Sequence, residues 1–344
     1  MRQVDRLQEK ISAARVNTVI HAPFSEPLKK EIDNLYSNVF CSAARFSEVE
    51  SLEHVAVWLD YKGNELLAAV LFRIEGRAVF VLNELIEFAE EVIETFTKFV
   101  FKAFPDAETV QFPSLRTRVS KISSPYQMHN ATEDIVISLP AKVEDYNANL
   151  GSSTRSNLLR YQKRIGRDHG EMKFSIYEGP NIPQALLSKL IEFSIERMRK
   201  KDKVPAHTEN SLSQLRMLVK NYGVVLVAQR HDVVCGGVIC SSVGDRFFMH
   251  VISHDPSYDG VRLGLVCCYL SVCDALKRGA RSYHLLSGEY EYKFRLQGKK
   301  VDFDRLVIFK SRMAVVRNFR LFTWNIVHAH GRSLKRLLRQ RLRT

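Results

Sequence analysis

The chain has 344 residues, 45% of them hydrophobic, which predicts about two globular domains, each with its own core. Its 51 lysines and arginines outnumber its 38 aspartates and glutamates, giving a net charge of +13. Residues 311–344 hold nine of the basic residues and no acidic one, so the positive excess is concentrated at this end.

Neither a secretion signal nor a membrane span is readable in the sequence. Residues 1–20 are charged throughout and lack the apolar run of roughly 7–15 residues that a signal peptide needs. The longest uncharged stretches, such as 233–244, are shorter than the roughly 18 apolar residues of a transmembrane helix. We therefore expect a cytoplasmic chain.

Cysteine and histidine patterns give no indication of a metal or disulfide framework. The six cysteines form no CxxC pair, and all but Cys41 lie in apolar runs, which is typical of buried thiols in a reducing compartment. The eleven histidines show no HExxH spacing. We expect no metal and no tightly bound cofactor.

The first half of the chain reads as helix, strands, helix and strand. Residues 1–50 are helical in composition, and glycine-containing turns then separate three β-rich runs. The following apolar spacing predicts a helix that ends at Pro105. In order, the predicted elements are a helix in 28–40, strands at 54–61, 65–75 and 77–83, a helix at 84–104 and a strand from Glu108.

The second half repeats this plan, which suggests duplication. A strand at 134–140 leads into it, and turns separate the strands of a second meander. The predicted elements are a strand at 172–179, helices at 184–200 and 210–221, strands at 223–230, 232–243 and 246–253, a helix at 263–279 and a strand at 281–287. The pattern predicts an α+β fold with two tandem lobes.

A run of basic residues precedes the second lobe. Residues 152–167 carry Arg155, Arg160, Lys163, Arg164 and Arg167 without an acidic residue. One interpretation is the solvated face of a helix. The other is a clamp for phosphate groups, since arginine and lysine donate charge-assisted hydrogen bonds to phosphate oxygens.

Two segments resemble the CelD-like and FemAB-like branch of the GNAT acyltransferase superfamily. Residues 255–298 contain an Asp-Pro-x-Tyr loop, a glycine at each end of an amphipathic helix, a strand and an acidic-aromatic stretch ending in Tyr-Lys. The residues that match are Asp255, Pro256, Tyr258, Gly264, Gly279, Glu289, Tyr292, Lys293, Phe294 and Arg295. Residues 153–165 resemble the Thr-Arg-Ser helix that precedes the C-terminal lobe in this branch.

The resemblance implies two tandem GNAT-like lobes, each a mixed, mostly antiparallel sheet flanked by helices. On this basis we expect an N-terminal lobe at 1–145, a C-terminal lobe with the donor site at 146–310 and a basic amphipathic helix at 311–344. The resemblance further implies that the acceptor lies in the groove between lobes. The chain departs from the branch at His284, where an aspartate is usual, and in having the single Gly264 instead of a glycine-rich pyrophosphate loop.

Residues 260–266 are the candidate donor-binding turn. A loop that runs into a helix N-terminus presents free backbone N–H groups and a positive dipole end, which suit a pyrophosphate. Arg262 and Gly264 lie in this turn, and Tyr292 and Arg295 are further candidates for binding the donor. The alternative is an ordinary turn between a strand and a helix.

The stretch 288–295 holds the candidate catalytic residues. The resemblance places Lys293 in the transfer site, where it would stabilise developing charge or bind donor phosphate. Glu289 and Glu291 are candidate proton acceptors, and His284 is another because imidazole titrates near neutral pH. Asp245 and His250, in or beside the meander strand, are weaker candidates. Arg155, Arg160 and Arg164 are candidate substrate-binding residues. In the purely structural alternative, the aromatic residues are core and the charged ones are surface.

The C-terminal segment mixes its basic residues with large apolar ones such as Phe319 and Trp324. This composition is typical of a helix on an anionic membrane surface. Nucleic-acid contact, including a tRNA-borne donor, and simple packing on the second lobe are the alternatives.

The sequence thus predicts an acyltransferase that moves an acyl group from acyl-CoA to an amine or hydroxyl of a cell-envelope glycan, lipid-linked sugar or related precursor. It would act in the cytoplasm, peripherally on the inner face of the cytoplasmic membrane. The alternatives are aminoacyl transfer from aminoacyl-tRNA and a non-catalytic module that binds membranes or nucleic acids.

Overall fold

The computed structural model describes residues 15–42, 45, 55–119, 122–200 and 209–329, which form an α+β fold. The strands within these ranges are β1 Arg15–His21, β2 Val55–Lys62, β3 Glu65–Glu75, β4 Ala78–Val81, β5 Glu84–Glu87, β6 Thr109–Arg116, β7 Tyr126–Ser138, β8 Lys173–Glu178, β9 Gly223–Arg230, β10 Val233–Val243, β11 Arg246–His254, β12 Ser282–His284 and β13 Lys299–Phe309. The helices are α1 Glu26–Tyr36, α2 Glu90–Ala103, α3 Val143–Asn149, α4 Ser152–His169, α5 Gln184–Arg199, α6 Glu209–Tyr222, α7 Leu263–Lys277, α8 Glu291–Arg295, α9 Arg312–Arg317 and α10, which spans 319–329.

The described residues divide into two compact units. The first comprises those up to Tyr36, those from Phe40 to Thr132 and those from Asp302 onward. The second comprises Ser37–Val39 and Glu133–Val301. This division places 133–145 in the second unit and 302–310 in the first, unlike the boundaries expected from the sequence, because β7 and β13 each contribute residues to both units.

The first unit contains the antiparallel meander β2-β3-β4. Gly63 and Gly76 in its turns have φ angles of 62° and 57°, which glycine adopts without strain. Helix α2 reverses the chain, so β6 runs parallel to β4. The main core lies between α2 and the sheet, where Trp58, Phe96 and Phe112 are buried.

The second unit has the same order of elements. Strands β9, β10 and β11 form an antiparallel meander, α7 follows, and β12 runs parallel to β11. Helices α4 and α7 cover one face of the sheet. Helices α5 and α6 cover the other face. The expectation that the 232–253 hairpin and the strand after the long helix share one sheet is confirmed.

Three elements of the first unit differ from the expectation or were missed. The predicted helix does not start at residue 84, because Glu84–Glu87 is the strand β5, which pairs in parallel with β6 and buries Ile86. The helix begins at Glu90, where two glutamates complement the positive end of the helix dipole. Strand β1 lies within a segment expected to be helical, and β13 was not identified.

The described part of the C-terminal segment is helical, as α9 and α10. Ala314 packs against Val307 and Phe309 of β13, together with Leu321 and Phe322. Residues 330–344, which complete the predicted basic helix, lie outside the described residues. Within the described part of the chain, no helix is long and apolar enough to cross a membrane.

Candidate active site

A cleft opens where β11 and β12 diverge. The two strands pair only from Arg246 and Ser282 to Phe248 and His284. Beyond these pairs, Leu286 and Gly288, with φ angles of 56° and 96°, turn the chain away from β11. The resulting cavity, the strand cleft, has a volume of about 220 Å³.

The β11 side of the strand cleft is irregular. The register between β10 and β11 shifts after Ile239, which pairs with Val251, whereas Cys240 pairs with Met249. His250 is therefore a bulged residue, and bulges are frequent near active sites because they redirect a side chain. His250 lines the strand cleft, and its Nε2 lies 2.8 Å from the Ser241 hydroxyl.

Lys293 lies at the base of the strand cleft and is only 2% exposed. Its Nζ donates to the carbonyl oxygens of Leu285, Leu286 and Ser287 at 2.6, 2.9 and 2.7 Å. Burial lowers the pKa of Lys293 to about 8, against the opposing effect of Asp134 and other nearby groups. A contact between Lys293 and a donor phosphate would require one of these three bonds to be released.

A second cavity, the arginine pocket, has a volume of about 380 Å³ and lies at the N-terminus of α7. Arg197, Arg262 and Arg295 line it, and no carboxylate forms an ion pair with Arg197 or Arg262 among the described residues. The aromatic lining consists of Tyr161, Tyr290 and Tyr292. This combination suits a ligand with phosphate groups and a planar ring.

His254 covers the first turn of α7 within the arginine pocket. Its Nε2 lies 2.8 Å from Oδ1 of Asp259, while its Nδ1 is buried without a hydrogen-bond partner. A β-carbon at Gly264 would lie 2.8 Å from Nδ1, so this glycine is required by the close approach of the imidazole. The imidazole therefore occupies space beside the first turn of α7 that an open pyrophosphate loop would leave free.

His284 is held in a hydrogen-bonded chain away from both cavities. Its Nδ1 lies 2.6 Å from the buried carboxylate of Asp134, and its Nε2 lies 3.0 Å from the Ser282 hydroxyl. The ring of Phe248 stacks on the imidazole at 4.5 Å. His284 does not line either cavity.

The two candidate glutamates have different surroundings. Glu289 forms an ion pair with Lys300 at 2.8 Å. Glu291 lines the arginine pocket and pairs with Arg295 at 2.6 Å. Glu291 is therefore the glutamate that the structure brings into contact with a cavity.

The predicted substrate-binding arginines are on α4 and do not line either cavity. Arg155 donates to the carbonyls of Asn147 and Ala148, and Arg164 lies 3.4 Å from Asp168. The guanidinium of Arg160 lies over the ring of Tyr161, which does line the arginine pocket. The structure thus brings together Arg262, Gly264, Glu291, Tyr292 and Arg295 but not these three arginines.

Sequence reasoning missed Arg197, which lines both cavities, as well as His254, Asp259 and Asp134. Arg197 comes from the basic end of α5, and the two residues of the histidine pair flank the Asp-Pro-x-Tyr motif. The position of His254 and Asp259 directly beside this motif was the signal that could have identified them. Among the described residues, no group of His, Cys, Asp or Glu could hold a metal ion.

The chain is similar to known proteins in residues 152–294 and in its fold. Residues 152–294 match the family model described as acetyltransferase (GNAT) domain. A comparison with curated proteins finds no significant match.

Several solved structures share the fold. The crystal structure of FemX is 8% identical, with a TM-score of 0.57 over 83% of this chain and 96% of FemX. L-PGS from Bacillus licheniformis is 12% identical, with a TM-score of 0.54 over 86% of this chain and 97% of that chain. The C-terminal domain of a putative lysylphosphatidylglycerol synthetase from Agrobacterium fabrum is 10% identical, with a TM-score of 0.52 over 86% and 96%. Residues 152–294 thus match a GNAT acetyltransferase domain, in agreement with the motifs of residues 153–165 and 255–298, and the chain as a whole shares the fold of these solved structures.

Proposed function

We propose that the second unit transfers an acyl group from a phosphorylated carrier to an amine or hydroxyl. One observation carries this proposal: the strand cleft and the arginine pocket share five lining residues, which are Arg197, Met198, Ile252, Tyr290 and Tyr292. An extended donor can therefore hold its phosphates in the arginine pocket and its acyl carbonyl in the strand cleft.

In this reaction the nucleophile attacks the acyl carbonyl, its C–N or C–O bond forms, and the bond to the carrier's sulfur or oxygen breaks. A base takes the nucleophile's proton and passes it to the departing sulfur or oxygen, so the carrier leaves as a thiol or alcohol. Residues 249–252 have no strand pairing on the side facing β12, so their backbone groups can bind the donor or the developing oxyanion.

We propose His250 as the proton acceptor, because its imidazole lines the strand cleft. Glu291 remains the candidate on the arginine-pocket side. We assign Lys293 the role of holding the backbone at 285–287, and with it the width of the cleft. Its charge would act on the reaction from beneath the cleft.

Acyl-CoA is the donor that the GNAT match favours. The arginines would bind its phosphates, and the tyrosines would pack against its adenine. As acceptor we propose a cell-envelope glycan, lipid-linked sugar or related precursor. The shared fold of a protein named for the synthesis of lysylphosphatidylglycerol supports an acceptor of this class.

Aminoacyl transfer from aminoacyl-tRNA is the second candidate. The position of His254 against Gly264 favours it, since the narrowed first turn of α7 leaves less room for a pyrophosphate. The carboxylate of Asp259 beside it would also repel a diphosphate. The remaining arginines and tyrosines suit the phosphates and bases of an RNA 3′ end equally well.

Native mass spectrometry of the purified full chain distinguishes the two donors by whether CoA, acyl-CoA or tRNA co-purifies. If acyl-CoA is the donor, calorimetry should detect CoA binding, and substitutions in the arginine pocket should raise the dissociation constant. Absence of CoA binding together with bound aminoacyl-tRNA would replace the first donor by the second.

Replacing Arg197 by alanine should raise the CoA dissociation constant about tenfold, the equivalent of one lost charge-assisted hydrogen bond of roughly 1.4 kcal/mol. Alanine is a good helix former, so α5 should remain intact. Arg199→Ala, two residues further along the same helix and outside both cavities, is the matched control and should bind CoA like wild type. Equal effects of the two substitutions would show that the arginine pocket does not bind the phosphates.

A further inference from the structure

Helices α9 and α10 of the first unit expose a set of large apolar side chains. Ala314, Phe322 and Asn325 face inward. We call the exposed surface of these helices the outer face. It consists of five apolar residues and one arginine, which are Met313, Val316, Phe319, Trp324, Val327 and Arg320. Val316 and Val327 are 67% and 68% exposed, so these side chains bury little of their surface within the described structure.

Polar contacts fix the orientation of this segment. The buried carboxylate of Glu108 forms an ion pair with Arg317, whose Nε lies 2.7 Å from it, and accepts a hydrogen bond from Asn318 Nδ2 at 2.8 Å. Further along, Asn325 Nδ2 donates to Gln127 Oε1 at 3.0 Å. Turning the outer face inward would break these contacts, which therefore stabilise the orientation in which it is exposed.

The charge around the outer face has one sign. No acidic residue occurs from 311 to 344. Arg312 and Arg320 have no carboxylate partner among the described residues. Six further lysines and arginines follow in residues 330–344, which lie outside the described part of the chain.

We infer that the outer face binds the surface of an anionic lipid bilayer. Transfer of the exposed valine, methionine and phenylalanine side chains from water to the boundary between headgroups and acyl chains is favourable, because it buries apolar surface. The arginines attract the lipid phosphates. A nucleic acid would use the arginines but offers little to the aliphatic side chains. A second copy of this face would bring like charges together. This surface lies in the first unit, so the inference is independent of the proposed transfer reaction.

Sedimentation of the full chain with vesicles tests the inference. Binding to vesicles of phosphatidylcholine with phosphatidylglycerol should be strong, should fall with added salt and should be weak with phosphatidylcholine alone. Val316→Glu should reduce the partition coefficient at least tenfold. Val233→Glu is the matched control, because Val233 is 65% exposed in the second unit and the change in charge is the same.

Tryptophan fluorescence gives a second readout. The chain has two tryptophans, of which Trp58 is buried and Trp324 is 48% exposed on the outer face. Anionic vesicles should shift the emission to the blue and protect it from aqueous quenchers, and brominated lipids should quench it.

Three results would overturn the inference. The first is equal vesicle binding by wild type and Val316→Glu, or none by either. The second is dissociation of a dimer by Val316→Glu with vesicle binding unchanged, which would assign the face to a second copy. The third is loss of tRNA retention by Val316→Glu with vesicle binding unchanged, which would assign it to nucleic acid.

Discussion

Replacing Lys293 by methionine should lower the free energy of unfolding, and the loss should grow with pH. Methionine has a similar length but cannot donate, so the carbonyls of Leu285 and Ser287 lose their side-chain donor inside the protein. An unsatisfied buried polar group costs about 1–3 kcal/mol, which gives a loss of about 2–6 kcal/mol for the two. At neutral pH the loss is smaller, because the substitution also removes the unfavourable desolvation of the buried ammonium.

The sign of the pH dependence follows from the direction of the shift. Burial lowers the pKa of Lys293 to about 8 in the folded protein, from 10.5 in the unfolded chain. Between these values the unfolded state binds more protons, so the stability contributed by Lys293 rises with pH. Over this range the wild type should gain on the order of 3 kcal/mol that Lys293→Met does not gain.

Urea unfolding at several pH values between 7 and 10.5 measures this difference. Lys163→Met, on the exposed face of α4, is the control and should change stability by less than about 0.5 kcal/mol. Parallel pH profiles for wild type and Lys293→Met would mean that Lys293 does not titrate differently in the folded state.

Replacing His250 by alanine should lower turnover by about 10²–10⁴, the usual contribution of a positioned general base. The imidazole lines the strand cleft, and its contact with Ser241 orients the ring. His250→Gln retains an amide that can contact Ser241 but does not accept the proton, so it should be nearly as slow. Ser241→Ala should cost less, because it removes only the orienting contact.

Release of CoA from acetyl-CoA in the presence of amine and amino-sugar acceptors can be followed with a thiol reagent. Because all six cysteines are buried, the protein itself should react slowly. Burial also raises the pKa of Cys240 to about 11, which disfavours the reactive thiolate. Unchanged turnover in a folded His250→Ala variant would remove His250 from the proposed mechanism.

The second unit was more predictable than the first for a physical reason. Its meander, loop and long helix are continuous in sequence, and strong apolar runs such as 233–243 and 263–277 determine their type locally. In the first unit, β5 is a strand because of its pairing with β6, which the local spacing of Leu85 and Ile86 does not encode. Strand β13 likewise finds its antiparallel partner, β6, far away in sequence.

The candidate site could be predicted only in part. Arg262, Gly264, Glu291, Tyr292 and Arg295 were found because the motif of 255–298 is local. Arg197 was missed because it enters the site through helix packing, and His250 was only a weaker candidate because the strand bulge that brings it to the cleft has no local sequence pattern. The interactions of Lys293 with the carbonyls of 285–287 also depend on how β12 ends.

The division of the first unit between two distant stretches of sequence has a consequence for biosynthesis. Strand β13, whose Leu306 pairs with Phe112 of β6, emerges from the ribosome only after all of the second unit has been translated. Until then, β6 in the earlier part of the first unit has an unpaired edge, and unpaired strand edges favour aggregation. Fragments that end before residue 302 should expose the edge of β6, whereas residues 133–301 contain six neighbouring strands and their flanking helices within one uninterrupted stretch. Expression of separate pieces should thus succeed for the inserted unit more readily than for the unit that surrounds it.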